Sequence, residues 1–255
     1  MATKKLENLY QNNLDEYKEE PFEPKSVLSL DCETTGLDPI KNQILSLGFV
    51  YSNLKTGRVA EKEYRCRLKD GKEIDENALK VNGFTLEKIN EADMTLEELA
   101  RKFVDEIFSL NPDYIIGYNI ANFDWNFIYN SLDDSYKEKL KKNFPKVIDL
   151  IYVTKNVLKN EMHLIPYDKT IRYNNQEWSF ISQNASLSIL GYEKEPDVHI
   201  AVSGSLYCMN LFYLLYLHKP FFRSHNYNKP KFVDDINIPF SKYVLGFNDI
   251  FGFDC

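Results

Sequence analysis

What this sequence has little of narrows its function first. Cysteine is sparse, and Cys32, Cys66, Cys208 and Cys255 fall in no CxxC or mixed Cys/His spacing. That argues against a structural zinc site and for a reducing compartment. Long apolar runs are missing: the longest, 206–217, is interrupted and too short to cross a bilayer, so it reads as a buried helix. The opening MATKKLENLYQNNLDEYKEE has no apolar centre of the kind a secretory signal needs. A soluble, intracellular protein with no membrane partner is expected. Positive charge is also short, with 31 Lys and Arg against 38 Asp and Glu and a formal net charge of −7. A bulk polyanion binder that works by neutralising phosphates is therefore disfavoured. An enzyme whose carboxylates hold divalent cations stays open, because the bound ion reverses the local field where a phosphate would sit.

What is present is ordinary for a globular chain. Hydrophobic residues at 44% and charged residues at 27%, over 255 residues, suit one α/β domain with elaborations. Residues 1–24 form an N-terminal extension, with Leu6, Leu9, Tyr10, Leu14 and Tyr17 at helical spacing and Pro21 and Pro24 at its end. Strand-forming runs at 26–32 and 43–51 flank the turn-rich TTGLDPIKN, and a third strand is expected at 63–68. The period then changes. Helices are predicted over 74–81 and 95–110, the second with Thr95 as N-cap and Glu98 completing a capping box. A strand at 113–118, a helix at 122–132, a strand at 147–153 and a helix at 206–217 follow, with 161–178 as a loop or insertion. This order indicates an α/β sheet of mixed direction flanked by helices.

The strongest chemical signal is Asp31-Cys32-Glu33. Strand side chains alternate, so Asp31 and Glu33 share one face while Cys32 points to the other. From spacing alone this is either a solvated strand end or a pair that holds a hard cation such as Mg²⁺ or Mn²⁺ between its carboxylates. The surrounding string SVLSLDCETTGLDPIKNQILSLGFV resembles the first motif of the DEDD 3′-to-5′ exonucleases, the DnaQ-like superfamily that includes bacterial proofreading subunits. IIGYNIANFDWNFI is similar to the second motif of that family, a strand leading into a helix with Asp124 in its first turn. SLSILGYEKEPDV and the following HIAVSGS resemble the third, the HxAxxD of the histidine-bearing branch.

The resemblance implies an RNase H-like fold over about 25–217. It implies hydrolysis of phosphodiester bonds from a 3′ end with two divalent metal ions, Mg²⁺ or Mn²⁺. Asp31, Glu33 and Asp124 would then be catalytic metal ligands, His199 the general base, and Thr34, Thr35, Leu37 and Asn119 substrate contacts. The substrate would be a nucleic acid with a 3′ end, single-stranded, as DNA or RNA.

One position departs from the pattern. Where the third motif carries its metal-binding Asp, this chain has Gly204. Three readings stay open: a replacement of Asp in an otherwise intact enzyme, a natural nuclease that binds ends without cutting, or a shifted register. Ser203 and Ser205 are weak ligands, and Asp197 lies on the wrong side of His199. A centre short of one carboxylate is expected to bind a 3′ end and cut it slowly; a catalytically silent, polymerase-associated module is the alternative. The C-terminal extension, 218–255, interleaves Lys219, Arg223, Lys229 and Lys231 with Phe221, Phe222 and Tyr227. Such a segment suits either a single-stranded backbone and its bases or a solvated loop with its rings in the core.

Overall fold

In the computed structural model, residues 21–158, 160–161, 171–172, 179–196, 200–222, 224 and 226–252 are described, with backbone alone at 171–172 and 179–180. Strand β1 (Ser26–Thr34) is buried along nearly its whole length, because it has neighbours on both edges and helices on both faces. It pairs antiparallel with β2 (Ile44–Asn53), which pairs antiparallel with β3 (Val59–Arg65). Helices α1 (Glu76–Asn82) and α2 (Leu86–Asn90) follow.

Helix α3 (Leu96–Leu110) starts at the predicted cap. The Glu98 N–H donates to Thr95 Oγ1 at 3.2 Å, and the Thr95 N–H to Glu98 Oε2 at 2.8 Å. Its apolar face, Leu99, Phe103 and Ile107 among others, lies on the sheet, with Phe103 against Phe49. Strand β4 (Tyr114–Gly117) runs parallel to β1 and leads into α4 (Asp124–Asn130). After α5 (Asp134–Lys142), β5 (Val147–Asp149) runs parallel to β4.

The predicted strand 147–153 is shorter than expected. Asp149 accepts from the Ile151 N–H at 3.2 Å, and this cap turns the chain into helix α6 (Leu150–Val157). Two-residue strands β6 (Ile171–Arg172) and β7 (Ser179–Phe180) pair antiparallel beyond the sheet; most of the expected insertion 161–178 lies outside the described residues. Helix α7 (Gln183–Ile189) precedes the long α8 (Ala201–Leu217), which begins five residues before the apolar run from which it was predicted. Strand β8 (Val244–Leu245) adds antiparallel to β5, and α9 (Phe247–Phe251) ends the described chain. The sheet order is β3-β2-β1-β4-β5-β8.

Helix α8 crosses β1 and β2 where β2 has Gly48, the residue directly opposite Asp31. A Cβ at Gly48 would stand 2.1 Å from the Val202 nitrogen and 2.3 Å from the Ala201 carbonyl carbon, so only glycine lets the helix backbone lie this close. Two hydrogen bonds lock the approach: Ser29 Oγ donates to the Ser205 carbonyl at 2.7 Å, and Ser205 Oγ to the Gly48 carbonyl at 2.8 Å. Among the described residues Cys32, Cys66 and Cys208 are buried free thiols, and no helix is long and apolar enough to cross a membrane. Gly48→Ala should lower the unfolding free energy by at least ~1–3 kcal/mol, since the obstructing atoms are backbone and cannot rotate away. An unchanged urea midpoint would mean that the helix does not depend on this contact.

Candidate active site

Asp31 and Glu33 lie near the end of β1 on the face covered by α8, as the alternation predicts. Asp31 keeps part of its surface open, yet sits deep among protein atoms; Glu33 is buried. Asp124, also buried, enters from the first turn of α4, where the neighbouring Cys32 favours its charged form. The structure thus brings together the three acids singled out in the sequence. Their proximity is visible in their proton affinities. Burial, then the charges of Asp124, Glu33 and Glu195, holds the Asp31 carboxyl well above the usual range. Burial and the charges of Glu195, Asp124 and Glu63 push Glu33 up to about 8. Asp124 rises to about 7, chiefly by burial and against its hydrogen bonds.

Gly204 faces this group from the first turn of α8. A Cβ there would stand 2.2 Å from Asp31 Oδ2, so position 204 meets the centre at Asp31 itself. Ser205 is committed to the sheet through Gly48, and Ser203 favours the charged form of the Glu195 carboxyl. Glu195 is the acid that the motif pattern does not reveal. It lies only nine residues before Gly204, in a loop whose acidic residues look solvated in sequence, yet it is 8% exposed and its charge reaches Glu33 and Asp31. Burial lifts its carboxyl to about 7. His199 lies outside the described residues.

The expected substrate contacts divide in two. Thr34 Oγ1 donates to the Gly36 carbonyl at 2.6 Å and Thr35 Oγ1 to the Glu73 carbonyl at 2.7 Å, so both hydroxyls brace the turn after β1. Leu37, at the crest of that turn, is 80% exposed. Asn119 has φ 65° and ends β4 in a left-handed kink, its N–H donated to Asp149 Oδ1 at 2.8 Å. Asp149 belongs to none of the motifs. Fully buried, it also accepts from Ala121 at 3.1 Å and Ile151 at 3.2 Å, and so fixes the loop that leads to Asp124. In the C-terminal segment, Phe221 packs on Tyr213, Phe222 on Tyr192 and Tyr207, and Tyr227 on Tyr192. The rings of Phe221, Phe222 and Tyr227 are half-buried and pack against the core. Lys229 pairs with Asp234, while Arg223 lies outside the described residues.

Among the described residues no group of three or more His, Cys, Asp or Glu stands ready to hold a metal ion. The donor set nevertheless suits a hard cation: every donor is a carboxylate oxygen, and Asp124 Oδ1 and Glu195 Oε1 are buried without a hydrogen-bond partner.

Residues 3–162 match the exonuclease domain of DNA polymerase family B. The chain belongs to this exonuclease family, within the DnaQ-like DEDD 3′-to-5′ exonucleases. Exonucleases of this kind use divalent metal ions. Among its relatives is DNA polymerase III PolC-type of Thermotoga petrophila, 33% identical over 107 residues, which are 42% of this chain and 7% of that one. The PolC-type polymerase of Mycoplasmopsis pulmonis is 27% identical over 180 residues, 67% of this chain and 12% of that one. The chain therefore spans a small fraction of these relatives.

The RNase H-like fold is shared with Escherichia coli exonuclease I in complex with a 5cy-dT13 oligonucleotide, with TM-score 0.56 and 16% identity over 77% of this chain and 42% of that one. It is likewise shared with the moderately thermophilic exonuclease I of Methylocaldum szegediense, with TM-score 0.56 and 18% identity over 76% and 41%. A zinc-ion-bound E. coli exonuclease I–ssDNA complex aligns with TM-score 0.54 and 17% identity, over 77% of this chain and 41% of that one.

Within this exonuclease domain Asp149 is a supporting residue, and its loss should be felt twice. Asp149→Ala would leave the N–H groups of Asn119, Ala121 and Ile151 unpaired, at about 1–3 kcal/mol for each that finds no water. Asp149→Asn, which keeps one acceptor oxygen, should fall between Ala and wild type in urea denaturation. Equal midpoints for all three would remove Asp149 from this role.

Proposed function

We propose that this chain hydrolyses nucleic acid from a 3′ end, acting on single-stranded DNA and releasing nucleoside 5′-monophosphates. The observation that carries the reading is the convergence of Asp31, Glu33 and Asp124 at the end of the central strand, in a chain of the DEDD exonuclease family. The bound oligonucleotides of the exonuclease I structures support the choice of substrate. Asp31, Glu33 and Asp124 would hold Mg²⁺ or Mn²⁺, two ions by family resemblance, which when bound would supply charge to the attacking and leaving oxygens.

The remaining work falls to the chain itself. Leu37, exposed on a turn braced by Thr34 and Thr35, offers an apolar surface to the terminal base. Asn119, its backbone N–H fixed by Asp149, would meet the strand at the end of β4, and His199 would accept the proton of the attacking water. Lys219, Arg223, Lys229 and Lys231 contribute charge along the phosphate backbone, with their neighbouring rings holding the segment to the core rather than stacking on bases.

A 5′-labelled strand incubated with Mg²⁺ or Mn²⁺, DNA beside RNA, tests the activity. Shortening from the 3′ end with release of mononucleotides is expected, and Asp31→Asn or Glu33→Gln should slow it by at least ~100-fold, the upper range for groups that merely support a metal ligand. If wild type and Asp31→Asn leave both strands intact and bind them alike, the domain is a silent binding module. Faster loss of RNA than of DNA would make it an exoribonuclease. The cationic segment has its own readout: neutralising the four basic residues should flatten the fall of log affinity with log salt. An unchanged slope would assign the segment to packing alone.

A further inference from the structure

We propose that Glu195 supplies to the carboxylate centre the side-chain oxygen that Gly204 lacks, so that the fourth acidic ligand enters from the loop ahead of α8. This rests on the exonuclease reading above. The family pattern places its last acid on the helix; here the helix at that point has no side chain, and the space a Cβ would take is filled by Asp31 Oδ2. An aspartate at 204 would need Asp31 to turn away first. Glu195 is placed to serve instead. Its backbone N–H donates to Asn184 Oδ1 at 2.9 Å, which anchors the loop to α7. Gln183, next to Asn184, donates from Nε2 to the Gly204 carbonyl at 3.3 Å, so this anchor stands at the first turn of α8 beside the gap. Glu195 is more than nine-tenths buried, and its Oε1 has no hydrogen-bond partner.

The charges that bear on this carboxylate decide what it is for. Glu195 acts on Glu33 and Asp31, which are acids themselves. A buried carboxylate set among others destabilises the fold unless a cation joins them. A glutamate kept in the interior with one oxygen unpaired, its charge acting on a group already short of one donor, has the chemistry of a ligand rather than of a structural pin. Its additional methylene gives it reach from a loop where an aspartate would fall short.

The test is calorimetric titration of the full chain with Mn²⁺, together with melting temperatures in EDTA and in saturating Mn²⁺. Glu195→Gln keeps the shape and removes the charge. It should weaken Mn²⁺ binding by at least ~10-fold. It should also melt at or above wild type in EDTA and below it in Mn²⁺, an inversion that a purely structural role would not produce. Gly204→Asp should add little to the wild type but restore Mn²⁺ affinity to Glu195→Gln. If Glu195→Gln binds Mn²⁺ as wild type does while Asp31→Asn does not, Glu195 is no ligand and the exonuclease centre stands without it. Glu195 is equally excluded if Gly204→Asp tightens Mn²⁺ binding in wild type as strongly as in Glu195→Gln. If wild type and Asp31→Asn are equally blind to Mn²⁺, the metal centre itself falls, and Glu195 with it.

Discussion

The close approach of α8 to the β1–β2 pair is the constraint on which the site depends. A helix normally stands off a sheet by the length of the side chains between them; at Gly48 there is none, and the backbone of Ala201 and Val202 takes that place. The two serine–carbonyl bonds flanking the contact then fix the helix in register as well as in distance. Because Gly48 stands opposite Asp31, the same contact delivers the first turn of α8 to the acidic centre. Packing and chemistry are set by one glycine, which is why space for a side chain at position 204 is a question about Asp31 and not about the core.

The acidic centre works against stability. Asp31, Glu33, Asp124 and Glu195 raise one another's proton affinity or are raised by the burial they share, and no arginine or lysine stands among the charges that act on them most strongly. Native domains tolerate such arrangements where function requires them and recover the loss elsewhere. Here the recovery is visible around the centre: Phe49, Phe103 and Trp125 interlock beneath the sheet, and Asp149 satisfies three backbone donors at the loop that presents Asp124.

The parts of this fold that are legible in sequence are those governed by local period and local chemistry. The alternation in SVLSLDCET puts Asp31 and Glu33 on one face, and Thr95 with Glu98 marks the start of α3 to the residue. Sequence reasoning fails where one element gives way to another without a break in apolar character. In VIDLIYV the β-branched run looks like a single strand, and only the capping oxygen of Asp149 turns it into a helix. The start of α8 is hidden because AVSGS has no apolar stripe, and its burial comes from tertiary contact. Glu195 lies within SLSILGYEKEPDV, but nothing local distinguishes it from Glu193 or Asp197, because its burial is set by tertiary contact. The rings of the 218–232 stretch are ambiguous for a similar reason, since what decides between base stacking and core packing is the position of Tyr192, Tyr207 and Tyr213.

The bonds that seat α8 join residues far apart along the chain: Ser29 to Ser205 spans 176 positions, and Ser205 to Gly48 spans 157. Contacts of such range are the last to be favoured as a chain condenses, because the loop they close must be ordered first. During synthesis the strand that bears Asp31 and Glu33 emerges early, whereas the helix that covers it, starting at Ala201, leaves the ribosome much later. Until that helix is made and docked, the acids of β1 lack the cover that α8 gives them. What completes the covering of these acids is the docking of one helix onto one glycine.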